Sequence, residues 1–547
     1  MKEILKRLMG TVLVVTVLGC GLMPHGSAET VRSQQYQIDP ATLDRIKSEA
    51  QDHSQVGDFV VYLADVYGPR MTGSPNYRAA GDWAIKTLQS FGLQDIHRES
   101  LGEISFAPGL KWSGRGWTCS RCSVRMVEPQ QVQLLAAPVG WSRSTNGKVT
   151  GDTILAPFPN GPGEAEQYIT KFRGKLKGKI VFISSRARIQ LQTSPEFSRY
   201  RDDELAKLAL PPETRPEQQK DSPANSAPSA TPRPEPTMQQ VLDAWNRLLD
   251  FLHDEGVLAL VQAAGGQGGT LFTANQIGPP DPHNDPPPSV SLAAEQYNRL
   301  LRLKEKDISV KLEIELETQS YRNPDHFNVI ADIPGSSKKD EVVFIGAHLD
   351  SWFGGTGATD NAAGVAVVME AMRILNKLGL KMNRTVRMAL WDAEELNASG
   401  SKAYVAEHLI DGKTGARKPL HEKLSVYFNI DNGAGKIRGI YLQSNKAAIP
   451  IFETWLRPLK ELSATTVSIR DSGGSDHEVL DQAGIPAFGF IQDPLNYYSR
   501  THHSTMDMLD YVPADDLKQS AAVLAALVYE AANNPVMVPR KPLPRSD

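Results

Sequence analysis

The sequence predicts an α/β protein: a mainly parallel, doubly wound sheet interrupted by an inserted β-rich domain. Three observations carry that prediction. From about residue 321 onward, apolar strand-like runs at 341–347, 385–391, 424–430 and 486–491 alternate with stretches at helical spacing. The clearest of these is 364–378, with Val365, Val368, Met369, Met372 and Leu375 on one side. Strands that are apolar throughout belong in a sheet covered on both faces, which parallel connections produce. Second, between about 131 and 320 short β-rich pieces such as 179–183 and 257–261 replace that alternation. Third, 547 residues are too many for one core, so two or more domains are expected.

Taken in order, residues 1–28 read as a signal peptide. Lys2, Lys6 and Arg7 precede an apolar run from Leu8 to Met23, and Gly26-Ser27-Ala28 offers a cleavage site. That run is too short for a convincing membrane span, and no other long apolar segment follows. An exported protein, periplasmic or secreted, is expected. The alternative is a lipoprotein anchored through Cys20, within Val17-Leu18-Gly19-Cys20. Residues 40–130 form the N-terminal part of the main domain. Helical periodicity over 58–91 breaks at 68–75, where two Gly and two Pro make a tight loop, and it places Trp83, Leu88 and Phe91 in the core. Cys119 and Cys122 are too few for a structural zinc and lack a thioredoxin-like context. In an oxidising compartment they predict a local disulfide.

Within the 131–320 insert, residues 210–237 are rich in Pro, Ser, Ala, Glu and Gln and cannot bury enough apolar area to order themselves, so they read as a disordered excursion. A Pro-rich patch at 278–288, with His283 between Asp281 and Asp285, reads as a solvated loop. Residues 321–535 carry the main domain and 536–547 a tail. The formal net charge of −4 supplies no basic excess to neutralise phosphates, which argues against a nucleic-acid partner. Nothing in the sequence indicates an oligomeric state.

In an open α/β sheet, ligands bind outside the carboxyl ends of the strands. His348 follows the first predicted strand, Glu394 and Glu395 the second, Asp431 the third, and His503 lies in the loop after the fourth. Asp350 and Asp360 stand in the loop behind His348. Each has a purely structural reading: Asp360 as a helix N-cap, the paired glutamates beside a helix N-terminus, Asp431-Asn432-Gly433 as a turn. Their shared place at strand ends favours a joint role. Imidazoles and carboxylates without thiolate suit zinc or a similar divalent ion. One carboxylate can bridge two cations, and one left free can take and return a proton. Glu394 and Glu395 are adjacent and can divide these tasks, while Asp350 is placed to orient His348. The pattern predicts a two-metal hydrolase site.

The strings His348-Leu349-Asp350-Ser351-Trp352, Gly357 to Gly364, Trp391-Asp392-Ala393-Glu394-Glu395, Asp431, and Gly474-Ser475-Asp476-His477 with Gly484-Ile485-Pro486 resemble the di-zinc aminopeptidase and glutamate carboxypeptidase family. The 68–75 loop and 348–352 are most similar to its carboxypeptidase Q branch. The resemblance covers about 50–530. It implies a zinc-exopeptidase fold with two Zn2+ ions: Asp360 bridging, His348 and Asp431 on one ion, Glu395 and His503 on the other. Glu394 would be the general base, Asp350 the partner of His348, and the Asp360–Asn361 peptide cis. The insert, with Lys177-Gly178-Lys179-Ile180-Val181, resembles a protease-associated domain, and 210–237 is longer than such a domain needs. His503 is chosen over its neighbour His502 because residues 503–507 fit the family's H-[ST]-x-x-D. His502 stands where several relatives have Tyr, which makes His502 or Tyr498 the expected transition-state donor. The implied function is an exported zinc peptidase acting on peptides near a free terminus, an aminopeptidase or dipeptidase. A receptor-like binding protein of the same fold and a mono-zinc amide-processing enzyme are the alternatives. Side-chain preference, and the choice of amino or carboxyl end, are not legible.

Overall fold

The computed structural model describes residues 36–541, apart from 103, 108–109, 112–113, 160, 212–236, 274–285 and 323. The leader, Cys20, nearly all of the 210–237 excursion and the Asp281, His283, Asp285 trio therefore lie outside the described residues.

Eight strands form the main sheet, in the order Gln94–Ser100, Phe327–Ile333, Arg384–Trp391, Lys338–His348, Leu424–Asn429, Ala487–Gln492, Ile437–Tyr441 and Thr466–Ser468. The four central strands, from Arg384–Trp391 to Ala487–Gln492, are parallel, as their unbroken apolar runs predict. The flanks add antiparallel pairings on both sides. Three of those flanking strands lack a clear apolar run: Gln94–Ser100 is exposed or half-buried along its length, and the last two strands are five and three residues long.

One face of the sheet is covered by Ala363–Lys377 and Ala514–Asn533, the most buried helices of the fold. Val365, Val368, Met369 and Met372 meet Leu524 and Leu527 there, in a core that also takes in Leu88 and, at its margin, Trp83 and Phe91. Burying each large apolar side chain stabilises by roughly 1.5–3 kcal/mol. The other face packs Phe344, Trp391, Tyr404, Tyr427 and Leu480 under short helices. The layering leaves the carboxyl ends of the parallel strands as the place where polar side chains converge.

A second eight-stranded sheet runs Val132–Leu134, Gly116–Glu128, Lys311–Tyr321, Val149–Leu155, Ile180–Phe182, Ala259–Ala263, Ser289–Leu292 and Ala136–Pro138. It has its own cores, one shared with helix Ala294–Lys304 and one with Ala165–Phe172 and Met238–Asp254. The last of these helices starts at Thr237, whose side chain accepts from Gln240 N while Gln240 reaches back to Thr237 N, a reciprocal cap. Among the described residues, no helix is long and apolar enough to cross a membrane.

One expectation is corrected. Cys119 and Cys122 are free thiols, not a disulfide. Both lie on the strand Gly116–Glu128, which pairs antiparallel with Lys311–Tyr321. Between them the register shifts by one residue, leaving Ser120 without a paired partner on Lys311–Tyr321. Burial pushes the Cys119 thiol up to about 11 and the Cys122 thiol to about 12, which disfavours the thiolate at neutral pH.

Candidate metal centre

His348 is the last residue of its strand, Asp431 lies two residues beyond Leu424–Asn429, and Glu394 and Glu395 follow Arg384–Trp391. His503 is reached by the segment after Ala487–Gln492, and Asp360 stands just before helix Ala363–Lys377, with a cis Asp360–Asn361 peptide. The structure brings all of these side chains together. Asp360 is central. Its Oδ1 is 3.3 Å from His348 Nε2, and its Oδ2 is 3.1 Å from His503 Nε2. Each imidazole also has a carboxylate of its own: His348 Nε2 is 3.2 Å from Asp431 Oδ1, and His503 Nε2 is 2.9 Å from Glu395 Oε2. Two ligand-like groups thus share one carboxylate. The potential donor atoms of His348, Asp360 and Asp431 all lie within 4.8 Å of one another, and so do those of Asp360, His502 and His503.

These residues fit a cation pair. Glu395 Oε1 is buried without a hydrogen-bond partner among the described residues, and Asp360 Oδ2 is buried with the His503 imidazole at ion-pair range but not aligned for a hydrogen bond, an expensive state for carboxylates unless an ion takes up the lone pairs. The proton affinities say the same. Burial alone would lower the His348 and His503 imidazoles. The carboxylates around them, Asp431 first for His348 and Glu395 first for His503, hold His348 well above its ordinary value and His503 up to about 11. Burial, reinforced by the charge of Asp360, pushes the Glu395 carboxyl up to about 7. A field that holds protons this tightly on two imidazoles would hold divalent cations in their place.

Asp350 joins the two halves of this strand-end array. His348 Nδ1 is 3.0 Å from the Asp350 carbonyl oxygen and 3.5 Å from its Oδ1. The same carboxylate accepts from Glu394 N at 3.1 Å and Glu395 N at 3.3 Å. Glu394 is half-buried; like Glu395 it lies outside both of those clusters, but unlike Glu395 it has no ion-pair contact with either imidazole among the described residues. Burial holds its carboxyl well above the carboxylate range; His348 opposes that shift, and Asp431, Asp476 and Glu395 reinforce it.

His502 stacks on His503, with ring centroids 3.7 Å apart and planes 23° apart, and its Nε2 is 3.9 Å from Asp360 Oδ2. Tyr498 is 64% exposed, its hydroxyl donates to Asn432 Oδ1 at 3.2 Å, and its ring lies edge-on to His502 with centroids 5.5 Å apart. Its neighbour Tyr497, passed over in the sequence, is the buried one, with its ring 4.8 Å from that of His502.

Two further residues went unassigned in the sequence. Arg70, fully buried, donates to the carbonyls of Leu63, Leu349, Thr356 and Gly357, tying the chain just after His348 to the chain just before Asp360. The turn it grips needs glycine at 357: φ is +70°, and a Cβ there would collide with that of Ser351. Asp507 accepts from Thr359 N at 2.6 Å and Thr359 Oγ1 at 2.7 Å, bracing the residue before Asp360. Burial, followed by the charge of Asp360, pushes its carboxyl to about 7. Both stand in strings quoted above, the 68–75 loop and H-[ST]-x-x-D, but spacing alone assigns them no partner.

Comparison with known proteins agrees with this geometry. The description of peptidase family M28 matches residues 328–528, the span that carries every ligand candidate. Carboxypeptidase Q of Mus musculus is 30% identical over 526 residues, covering 92% of this chain and 94% of that protein. Aminopeptidase YwaD of Bacillus subtilis is 28% identical over 255 residues, 45% of this chain and 51% of that one. Among solved structures, a peptidase M28 precursor from Shewanella amazonensis superposes with a TM-score of 0.63 at 25% identity, covering 92% of this chain and 99% of that one. BSAP, a zinc aminopeptidase from Bacillus subtilis, shares the fold at a TM-score of 0.51 and 18% identity, over 87% and 94% of the two chains. Similarity sustained through almost the full length of a relative, together with a family match over the site-bearing sheet, shows that this chain belongs to peptidase family M28.

Proposed function

We propose that this chain is a di-zinc peptidase that removes residues from the free amino end of peptides or splits dipeptides, and that it works outside the cytoplasm. By family it is a zinc-dependent exopeptidase. The observation that carries the finer reading is Asp360 set between two imidazoles, each with a second carboxylate. His348 and Asp431 would hold one ion, Glu395 and His503 the other, with Asp360 shared. Bound zinc supplies Lewis-acid polarisation of a water and of the scissile carbonyl.

The chain's own groups do the rest. Glu394, free of both ligand groups, takes the proton from the attacking water and returns it to the departing nitrogen. The Asp350 main-chain carbonyl accepts from His348 Nδ1–H, with the Asp350 carboxylate 3.5 Å from the same nitrogen, which leaves Nε2 with its lone pair facing Asp360 and Asp431. His502, beside Asp360, is placed to donate to the developing oxyanion, whereas the Tyr498 hydroxyl is already engaged by Asn432. The 131–320 module is read as a protease-associated domain. Export rests on the leader-like residues 1–28.

The test is zinc analysis combined with a small substrate panel. Two zinc ions per chain are expected, with chelator-sensitive hydrolysis of amino-acid anilides and unblocked dipeptides and none of N-blocked dipeptides. Equal rates on blocked dipeptides would overturn the preference for a free amino end. One zinc per chain would favour an amide-processing enzyme, and none a receptor-like protein.

A further inference from the structure

The segment that carries His503 is gripped by two pieces of the inserted module, neither of which supplies a ligand. One is the strap at 271–273. Thr273 N donates to the His503 carbonyl at 2.8 Å, and Thr273 Oγ1 donates to the same oxygen at 3.2 Å. Thr505 N donates to Leu271 O at 2.9 Å, and Leu271 N donates back to Thr505 Oγ1 at 3.3 Å. Between them Phe272 and Ser504 form an antiparallel bridge. The second piece lies at 196–198. Ser198 N donates to Leu495 O at 2.8 Å, and Arg500 Nε donates to Glu196 Oε2 at 2.6 Å.

The strap acts where the backbone most needs it. His503 has φ +57°, a left-handed conformation that a residue with a Cβ keeps only when its surroundings hold it there. Two donors converging on its carbonyl fix the orientation of that peptide, and the peptide aims the ring at Asp360 and Glu395. The loop behind His348 closes on the same point: a Cβ at Gly354 would lie 2.7 Å from Thr273 Oγ1 and 3.1 Å from the Ser504 carbonyl carbon. Among the described residues nothing comparable reaches His348, which is held by strand pairing within the main sheet.

We propose that Thr273 is a positioning residue for His503, so that the inserted module sets the affinity of the cation held by Glu395 and His503 while leaving its partner untouched. This rests on the two-zinc reading above.

The experiment is calorimetric titration of metal-stripped full-length protein with zinc. Wild type should show two binding events. The double variant Thr273→Val with Thr505→Val removes both strap hydroxyls and keeps the backbone. It should weaken one event about 10-fold and leave the other unchanged. Thr273→Pro, which also removes the N–H, should weaken the same event about 100-fold. Thr273→Ser keeps both donors and should restore wild-type binding. In an Asp431→Asn background, the event that persists should be the one sensitive to Thr273. Saturating zinc should return kcat of the double variant to the wild-type value. Should Thr273→Pro fail to fold, the double variant decides. Both events at wild-type strength, or both weakened alike, would overturn the proposal. A wild type that binds no zinc would overturn the functional reading instead.

Discussion

The His348 end and the His503 end of the ligand cluster present the same chemistry on different footings. His348 closes a central strand that lies beside Trp391 in register, its side chain is 1% exposed, and Asp350 fixes its ring from behind. His503 sits in a loop with left-handed backbone, its side chain is 24% exposed, and its carbonyl is held by a residue 230 positions away. One ligand is placed by the sheet, the other by the inserted module. A rigid half and a borrowed half give the fold a fixed anchor and a second position whose strength can be changed without rebuilding the sheet.

The largest effect should come from the residue that serves both halves and belongs to neither. Glu394→Gln keeps size and polarity but removes the proton acceptor. Turnover should fall by about 10²–10⁴-fold while zinc content stays at the wild-type level. Loss of zinc together with activity would make Glu394 a ligand and break the division between ligands and base.

Next come the two histidines themselves. His348→Ala leaves the Asp431 and Asp360 carboxylates, 8% and 4% exposed, without the imidazole they face, which costs about 1–3 kcal/mol. His503→Ala opens a site already in contact with solvent and should cost less. Thermal melts of the metal-free variants should therefore separate clearly, with His348→Ala the lower. Equal melting temperatures would mean that the sheet-borne half is no more rigid than the loop-borne one.

A smaller change is expected from the partners. Asp350→Asn keeps the main-chain carbonyl that accepts from His348 Nδ1 and still accepts from one of the two glutamate amides, but it removes the negative charge 3.5 Å from that ring. It should weaken zinc at the His348 position by about 10–100-fold. His502→Ala should lower kcat by about 10-fold or less with zinc retained. If zinc departs instead, His502 and His503 exchange roles, which their stacked rings permit.

The same contrast explains what could be read from the chain. The sheet-borne residues were legible because an apolar run ending in His348, Glu394 or Asp431 marks a strand and its carboxyl end at once. Asp360 was legible through the helix it precedes. Adjacent His502 and His503 were not separable by spacing, because their loop takes its shape from Leu271, Thr273 and Glu196, which local periodicity cannot link to it. Arg70 failed for the same reason: its four acceptors are backbone carbonyls, and carbonyls leave no trace in a sequence. The Cys119, Cys122 pair misled because a C-x-x-C spacing does not reveal that both residues lie within one sheet strand, whose backbone pairing sets where their side chains go.

Asp507 offers the finest probe of the borrowed half, because it links the His503 segment to the turn that carries Asp360. Its carboxyl is raised from 3.8 to about 7, by burial and then by Asp360, so over that window the folded metal-free chain holds a proton the unfolded chain has released. Where the folded state binds more protons, stability falls as pH rises. The contribution is therefore complete below about 3.8 and is progressively lost on the way to about 7. Asparagine keeps an acceptor for Thr359 and does not titrate. In metal-free protein, Asp507→Asn should thus gain stability relative to wild type as pH rises through that window, read as a widening difference in melting temperature. Other buried carboxyls shift in the same direction, so the difference between variant and wild type is the quantity to follow, not either melting curve alone. Added zinc should narrow it, because neutralising Asp360 removes part of what keeps Asp507 protonated. A difference that stays constant across the window would show that Asp507 is ionised throughout, and that the loop is tied to the Asp360 turn by a charge instead of a neutral acid.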